Sequence, residues 1–440
     1  MNIKSQLKLV AALLFFTTAA HAQEEMPTMH LTLDKAIELA LADNPTIKVA
    51  EQEIELKEVA KKEAWQSLLP TVSIDGSINY TIKAAEMKLG ENTFKMGKDD
   101  SNTWNGALNV SLPIYAPAAY RTITMSKKDI ELAVEKSRGS KIEMVNQVTK
   151  AFYQLMLAQD SRNVLMENYK LAESNYNIVK AKFEQGSVSE YDKISSEVQM
   201  RSAWPNVVSG ENAVKLAKLQ LKVLMGITAD VDIVIDDKLT NYENEMSQAS
   251  INEQSIALDN NSTLRQIDLN GELLMQTRKM LKTNFQPTIM LSGNYQYQSL
   301  YNNNFKVAQY DWAKSSSLVL SVSIPLFKAS NFTKLKSNKI QQRQLAENRL
   351  NTERMLKMQA QSYIDNMKAS AEQLQSNKEA VELAQKGLEI SQKRYDVGKG
   401  TILELNNSQV SLTNVQLTYN NSIYDYLVAK SELKTVLGQE

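Results

Sequence analysis

Thr71-Val72-Ser73-Ile74-Asp75-Gly76-Ser77-Ile78-Asn79-Tyr80 alternates small polar residues with apolar ones, and Thr288-Ile289-Met290-Leu291-Ser292-Gly293-Asn294-Tyr295-Gln296-Tyr297 does so again in the second half of the chain. Successive side chains of a strand point to opposite faces, so each stretch presents one apolar and one polar face. The residues C-terminal to each stretch also recur in the same order. Leu112-Pro113-Ile114-Tyr115 returns as Ile324-Pro325-Leu326-Phe327, Phe183-Glu184-Gln185-Gly186 as Tyr395-Asp396-Val397-Gly398, and Leu224-Met225-Gly226 as Val436-Leu437-Gly438, all displaced by one constant offset. Self-similarity at fixed spacing marks a duplicated structural unit. The two repeats are predicted over 23–227 and 251–440, joined by a connecting segment, 228–250.

Return strands complete two pairs. Trp104, Gly106, Leu108, Val110, Leu112 and Ile114 share a face across from Asn105, Ala107, Asn109 and Ser111, and Leu318, Leu320, Val322 and Ile324 oppose Ser317, Val319, Ser321 and Ser323. Strands are therefore predicted at about 71–80, 104–114, 288–297 and 316–324, each near the roughly 9–11 residues that a tilted strand needs to cross a bilayer. Tyr80, Trp104, Tyr295 and Tyr297 fall near predicted strand ends, where membrane interfaces collect aromatic rings. Long polar loops are expected at about 81–103 and 298–315. A soluble, half-buried antiparallel sheet alternates in the same way.

The flanking sequence bears on that choice. Residues 1–22 carry Lys4 and Lys8, the apolar run Leu9 to Phe16, and Ala20-His21-Ala22, the pattern of a cleaved export signal. No later stretch holds 18 uninterrupted apolar residues, so any membrane passage falls to strands, the other structure that satisfies its backbone in lipid. An unpaired backbone group there costs several kcal/mol. Four strands cannot close, since the smallest membrane barrels have about eight. The wall must be shared between copies, and eight or twelve strands both satisfy that demand.

Between and after the strands the pattern becomes helical. Long helices are predicted at about 120–182 and 333–394, with return helices at about 190–225 and 402–437. Ile130, Ala133, Val134, Val145, Val148, Phe152 and Leu155 recur at helical spacing, and the first region contains no proline and only Gly139. A helix of about 63 residues reaches roughly 95 Å, far beyond a globular core. Pro205 inside the first return helix is expected to kink or break it. An ordinary coiled-coil scaffold shares the periodicity but not the strand pair that introduces each helical unit.

Composition removes several functions. Equal numbers of acidic and basic residues, 50 each, and about minus two after loss of the leader, give no basic surface for nucleic acid. The absence of cysteine excludes disulfides, thiolate sites and lipid attachment at an N-terminal cysteine. Val397-Gly398-Lys399-Gly400-Thr401 lacks the spacing of a phosphate loop. Met26, Met29 and His30 are chemically able to hold a soft metal, but methionine is scattered through the chain, and no metal, cofactor or catalytic constellation is assigned.

Leu31-Thr32-Leu33-Asp34-Lys35-Ala36 followed by Asn44-Pro45, Ala64-Trp65-Gln66-Ser67-Leu68-Leu69-Pro70, and the turns Phe183-x-x-Gly186 and Tyr395-x-x-Gly398 resemble, in order and spacing, the TolC-type outer-membrane efflux family. The resemblance covers nearly all of the chain beyond the leader. It implies a homotrimer in which four strands per chain build a twelve-stranded β-barrel in outer-membrane lipid, continued by a long periplasmic α-helical barrel. A periplasmic adaptor protein and an inner-membrane transporter are the implied partners, and the implied function is a passive exit duct for efflux. The duct of a type I protein secretion system is built alike and remains an alternative. A periplasmic or secreted coiled-coil scaffold without a pore is the rival from another class.

The same resemblance implies site residues. Phe183, Gly186, Tyr395, Gly398 and Lys399 form the two periplasmic tip turns and the adaptor contact, and Glu404, Asn407 and Asp192 match the pore gate. A ring of Glu404 carboxylates would favour cations. Gly400 stands where some relatives carry a gating arginine, with Lys399 as a substitute, and Asn260-Asn261 in place of Asn44-Pro45 is expected to relax a helix boundary.

Overall fold

The computed structural model describes residues 28–90, 92–228, 231–248 and 256–439. The predicted leader, Met26 and parts of the connecting segment lie outside the described residues. The first half comprises β1 (Thr28–His30), α1 (Leu33–Asp43), α2 (Pro45–Gln66), β2 (Thr71–Thr81), β3 (Ala85–Leu89), β4 (Asn92–Met96), β5 (Ser101–Tyr115), α3 (Pro117–Glu184) and α4 (Glu190–Leu224). The second comprises β6 (Asp232–Val234), α5 (Glu243–Gln248), α6 (Ser262–Thr283), β7 (Thr288–Asn302), β8 (Ala313–Ser323), α7 (Ala329–Asp396) and α8 (Ile402–Leu437). The chain is mainly helical. It forms two compact units, each drawn from both halves: 45–143 with 253–362 and 433–440, and residues through 44 with 144–252 and 363–432.

The first of these units holds an antiparallel sheet ordered β2-β5-β7-β8. Its register keeps the two faces separate across all four strands. Ile74, Leu108, Tyr295 and Ser316 form one row, and Asp75, Ala107, Gln296 and Ser315 form the next on the opposite face. Val72, Ile74, Ile78, Leu318, Leu320 and Val322 are exposed. The outer strands β2 and β8 each have one partner among the described residues, and the sheet is open at both edges. Pro113 has no N–H to give a ladder, and the β5–β7 register slips between Pro113 and Tyr115, where a bulge accommodates it.

The strands outrun the predicted ones at the end near Thr81. β5 begins at Ser101 and β7 reaches Asn302, while β3 and β4 form a hairpin where a plain polar loop was expected. In the same unit, α3 passes through Gly139 unbroken. A Cβ there would sit 2.6 Å from the Ser262 hydroxyl, so Gly139 permits close approach of α6. Arg349 on α7 grips Asp268 on α6 at 2.6 Å.

In the other unit, the connecting segment is a strap. β6 pairs in parallel with β1. Asp160 on α3 accepts a 3.0 Å hydrogen bond from the Leu239 amide, Lys218 on α4 meets Asp232 at 2.7 Å, and Lys378 on α7 meets Glu243 at 2.7 Å. Tyr419 on α8 also donates to Glu243, and Lys430 pairs with Glu245. One short segment thus touches all four long helices. His30 is committed to Asp236 at 2.7 Å.

Two further expectations are corrected. α4 is continuous from Glu190 to Leu224 with Pro205 inside it, so of the expected kink or break, the break does not occur. Ala203 and Val207 on either side are buried, and this packing offsets the one backbone hydrogen bond that proline forfeits. At the second repeat boundary, Asn261 caps α6 by accepting from the Leu264 amide at 3.0 Å, which sharpens the boundary instead of relaxing it. The duplication is visible at these joints. Asn44 donates to the Leu224 carbonyl at 2.7 Å, and Asn261 donates to that of Val436 at 2.8 Å. Gly226 and Gly438, both at φ +69, press on the backbone at Asp43 and Asn260 respectively.

Candidate functional site: two helical tips

The first tip is the turn between α3 and α4. α3 ends in a left-handed glycine, Gly186 at φ +72, whose amide donates to the Phe183 carbonyl at 2.8 Å while that of Ser187 reaches Lys182 at 2.9 Å. This pair of hydrogen bonds is the glycine-terminated helix stop that satisfies otherwise orphaned carbonyls. α4 then starts with a full capping box: Asp192 N–H donates to the Ser189 hydroxyl at 3.1 Å, and Ser189 N–H to the Asp192 carboxylate at 3.2 Å. Phe183 is half-buried, with the Lys193 ammonium 5.0 Å from its ring centre.

The second tip repeats the backbone and changes the side chains. Gly398, at φ +70, donates to Tyr395 at 3.1 Å, and both Lys399 and Gly400 amides converge on the Arg394 carbonyl at 2.8 and 3.0 Å. A Cβ on Gly400 would lie 3.1 Å from the Arg394 Cβ and from the Tyr395 nitrogen. A side chain there would require the turn to give by a few tenths of an ångström. Thr401 caps α8 through the Glu404 amide at 3.2 Å. Asp192 and Glu404 occupy equivalent third positions of their helices, yet the Glu404 carboxylate turns to Arg394, 3.6 Å away. Asn407 is exposed one turn further along.

A shared core ties the tips together. Val179 of α3 packs with Leu388 and Tyr395 of α7 and with Ile402, Leu405 and Leu412 of α8, and Val188 of the first turn lies against them. Lys182 bridges the two as well, 3.3 Å from Asp396 and 5.1 Å above the Tyr395 ring. Tyr395 is buried, and its hydroxyl has no hydrogen-bond partner. Burial, reinforced by the charges of Asp192 and Asp396, pushes that hydroxyl up to about 12. The structure therefore gathers Phe183, Gly186, Asp192, Tyr395, Gly398, Lys399 and Glu404 into one end of one unit.

Arg394 is the residue that sequence reading missed. It braces the turn by donating to the Lys399 carbonyl at 3.2 Å and faces Glu404, whereas Lys399 contributes its backbone. The signal was the repeat itself, since Arg394 matches Lys182, the bridging cation of the first tip. No group of three or more metal-ligating side chains occurs among the described residues.

An open sheet with one apolar exposed face, joined in sequence to helical hairpins too long for a globule, defines a class: membrane proteins that line a passage with strands and helices together. No helix among the described residues is long and apolar enough to cross a membrane. The chain belongs to the outer membrane efflux protein family, whose model matches residues 36–227 and 254–439. It is 20% identical to outer membrane protein TolC of Vibrio cholerae over 84% of this chain and 82% of that one. Its fold is that of the CusC channel (TM-score 0.74, 16% identity, 94% of each chain) and of the Campylobacter jejuni CmeC outer membrane channel (TM-score 0.71, 17% identity, 95% of this chain and 90% of that one). It is thus an outer-membrane, TolC-type protein with a large periplasmic helical portion, in a family of channels and not of enzymes.

Proposed function

We propose that three copies of this chain form the exit duct of a tripartite efflux system, passing solutes from a periplasmic adaptor and an inner-membrane transporter to the exterior. The observation that carries the reading is the sheet with both edges unpaired and its apolar face bare. Lipid accepts the apolar face but not the edges. Pairing β8 of one copy with β2 of the next closes twelve strands around the polar face, and energy for transport comes from the partners.

The tips are the proposed gate and docking end. Three Glu404 side chains around a symmetry axis make a cation-favouring ring, with Asn407 beside it and Asp192 holding the first turn in shape. Phe183 and Lys399, both accessible, are the proposed adaptor contacts, while Tyr395, Gly186 and Gly398 shape the turns. Deleting the gene should sensitise cells to toxic solutes, with resistance restored by the wild-type chain. Planar bilayers containing the purified protein should show a cation-preferring conductance that Glu404→Gln weakens. Unaltered sensitivity of the deletion strain would overturn the efflux role, and an unchanged reversal potential in the variant would overturn the gate assignment.

A further inference from the structure

Among the described residues, Asp75 is the only charged side chain on the polar face of the four-stranded sheet. The rest of that face is Ser73, Ser77, Asn79, Asn105, Asn109, Asn294 and similar uncharged residues, and the one other charged residue in these strands, Lys314, lies in the row of the opposite face, with its ammonium over the Tyr297 ring. A lone charge in an otherwise uncharged wall sets the field there. Its position is also fixed by its neighbours. Asn294 donates to the Asn109 side-chain oxygen at 2.6 Å, Asn109 donates to the Asp75 carboxylate at 2.5 Å, and the Ser73 hydroxyl donates to the same carboxylate oxygen at 3.1 Å. Three strands thus contribute to a hydrogen-bond chain that ends on Asp75. Its carboxylate is exposed and held in place by these two donors, Asn109 and Ser73.

We infer that Asp75 is a selectivity residue of the strand-lined part of the duct, where one carboxylate per copy forms a ring that enriches small cations over anions. This rests on the duct reading, and it adds a second charged ring chemically independent of Glu404. The ring lies on the wall of a wide passage, so its reach is set by screening: the Debye length is about 30 Å at 0.01 M salt and about 3 Å at 1 M. The cation preference due to Asp75 therefore belongs to low salt. Asn109 and Asn294 position the carboxylate and carry no charge of their own.

The test is the potassium-to-chloride permeability ratio of the full-length protein in planar bilayers, measured at about 0.01 M and about 1 M potassium chloride. Asp75→Asn, and Asp75→Ser as a second neutral variant should the first assemble poorly, are expected to lower the ratio by about twofold or more at low salt and to match wild type at high salt. Asp75→Glu should retain the wild-type ratio. Neutral variants that conduct with an unchanged ratio at low salt would overturn the assignment. A wild-type protein that gives no conductance at all would instead overturn the duct reading beneath it.

Discussion

The two helical tips share a backbone and differ in what their side chains are free to do. At the first, the carboxylate of Asp192 is consumed by the capping box with Ser189. At the second, Thr401 caps with its hydroxyl, and the equivalent carboxylate, Glu404, faces Arg394 instead. The aromatic residue three before each glycine differs too: Tyr395 is buried in the shared core, and Phe183 is half-buried at its edge. Duplication supplied the same turn twice. Divergence then made one a structural stop and left the other with a carboxylate to spare, which is why only the second supplies the proposed gate ring.

The sharpest break in that comparison is at the aromatic pair. Tyr395→Ala removes a buried ring from the shared core and should cost about 3–5 kcal/mol, whereas Phe183→Ala should cost clearly less; thermal unfolding followed by circular dichroism ranks the two. Next comes the Tyr395 hydroxyl, buried without a partner in the chain. Tyr395→Phe should be neutral or stabilising by up to about 1–2 kcal/mol, because an unsatisfied buried hydroxyl costs free energy. Its ionisation gives the same contrast a pH signature. The folded hydroxyl is held protonated up to about 12, so stability is full below the unfolded value near 10 and falls as pH rises toward the folded one. Unfolding curves between those values should show part of that fall missing in Tyr395→Phe.

Smaller effects separate the two carboxylates. Ser189→Ala breaks the capping box and should cost about 1 kcal/mol, and Asp192→Asn should lower the melting temperature without altering ion selectivity. Glu404→Gln should do the reverse, changing the reversal potential while leaving the melting temperature unmoved, since the Arg394–Glu404 pair is exposed and loosely spaced. A selectivity change in Asp192→Asn with none in Glu404→Gln would invert the assignment of roles.

Much of this was readable from the chain. Alternation in 71–80 and 288–297 placed strands whose observed spans are Thr71–Thr81 and Thr288–Asn302, because a period of two leaves little freedom once one face is apolar. The long helices were legible for the same reason: their breakers sit at Gly186 and Gly398, the left-handed stops. Contacts distant in sequence were not legible. The strap from Asp232 to Gln248 carries no strong periodicity, and its hold on α3, α4, α7 and α8 comes from single ion pairs and hydrogen bonds whose partners are far along the chain. The β3–β4 hairpin was not legible because its strands are only five residues each, too short for their alternation to stand out. Arg394 is not legible from the motif around position 400, because its role depends on the Lys399 carbonyl and the Glu404 carboxylate that the folded turn brings to it. At Pro205, local propensity pointed to a kink or a break, and the helix continues through it with Ala203 and Val207 buried on either side.

In the proposed duct, one copy supplies an incomplete wall that other copies complete. Native mass spectrometry of the protein extracted from outer membranes in mild detergent tests it most directly. A trimer that dissociates on heating is expected; a folded monomer that is soluble without detergent would rule the shared wall out.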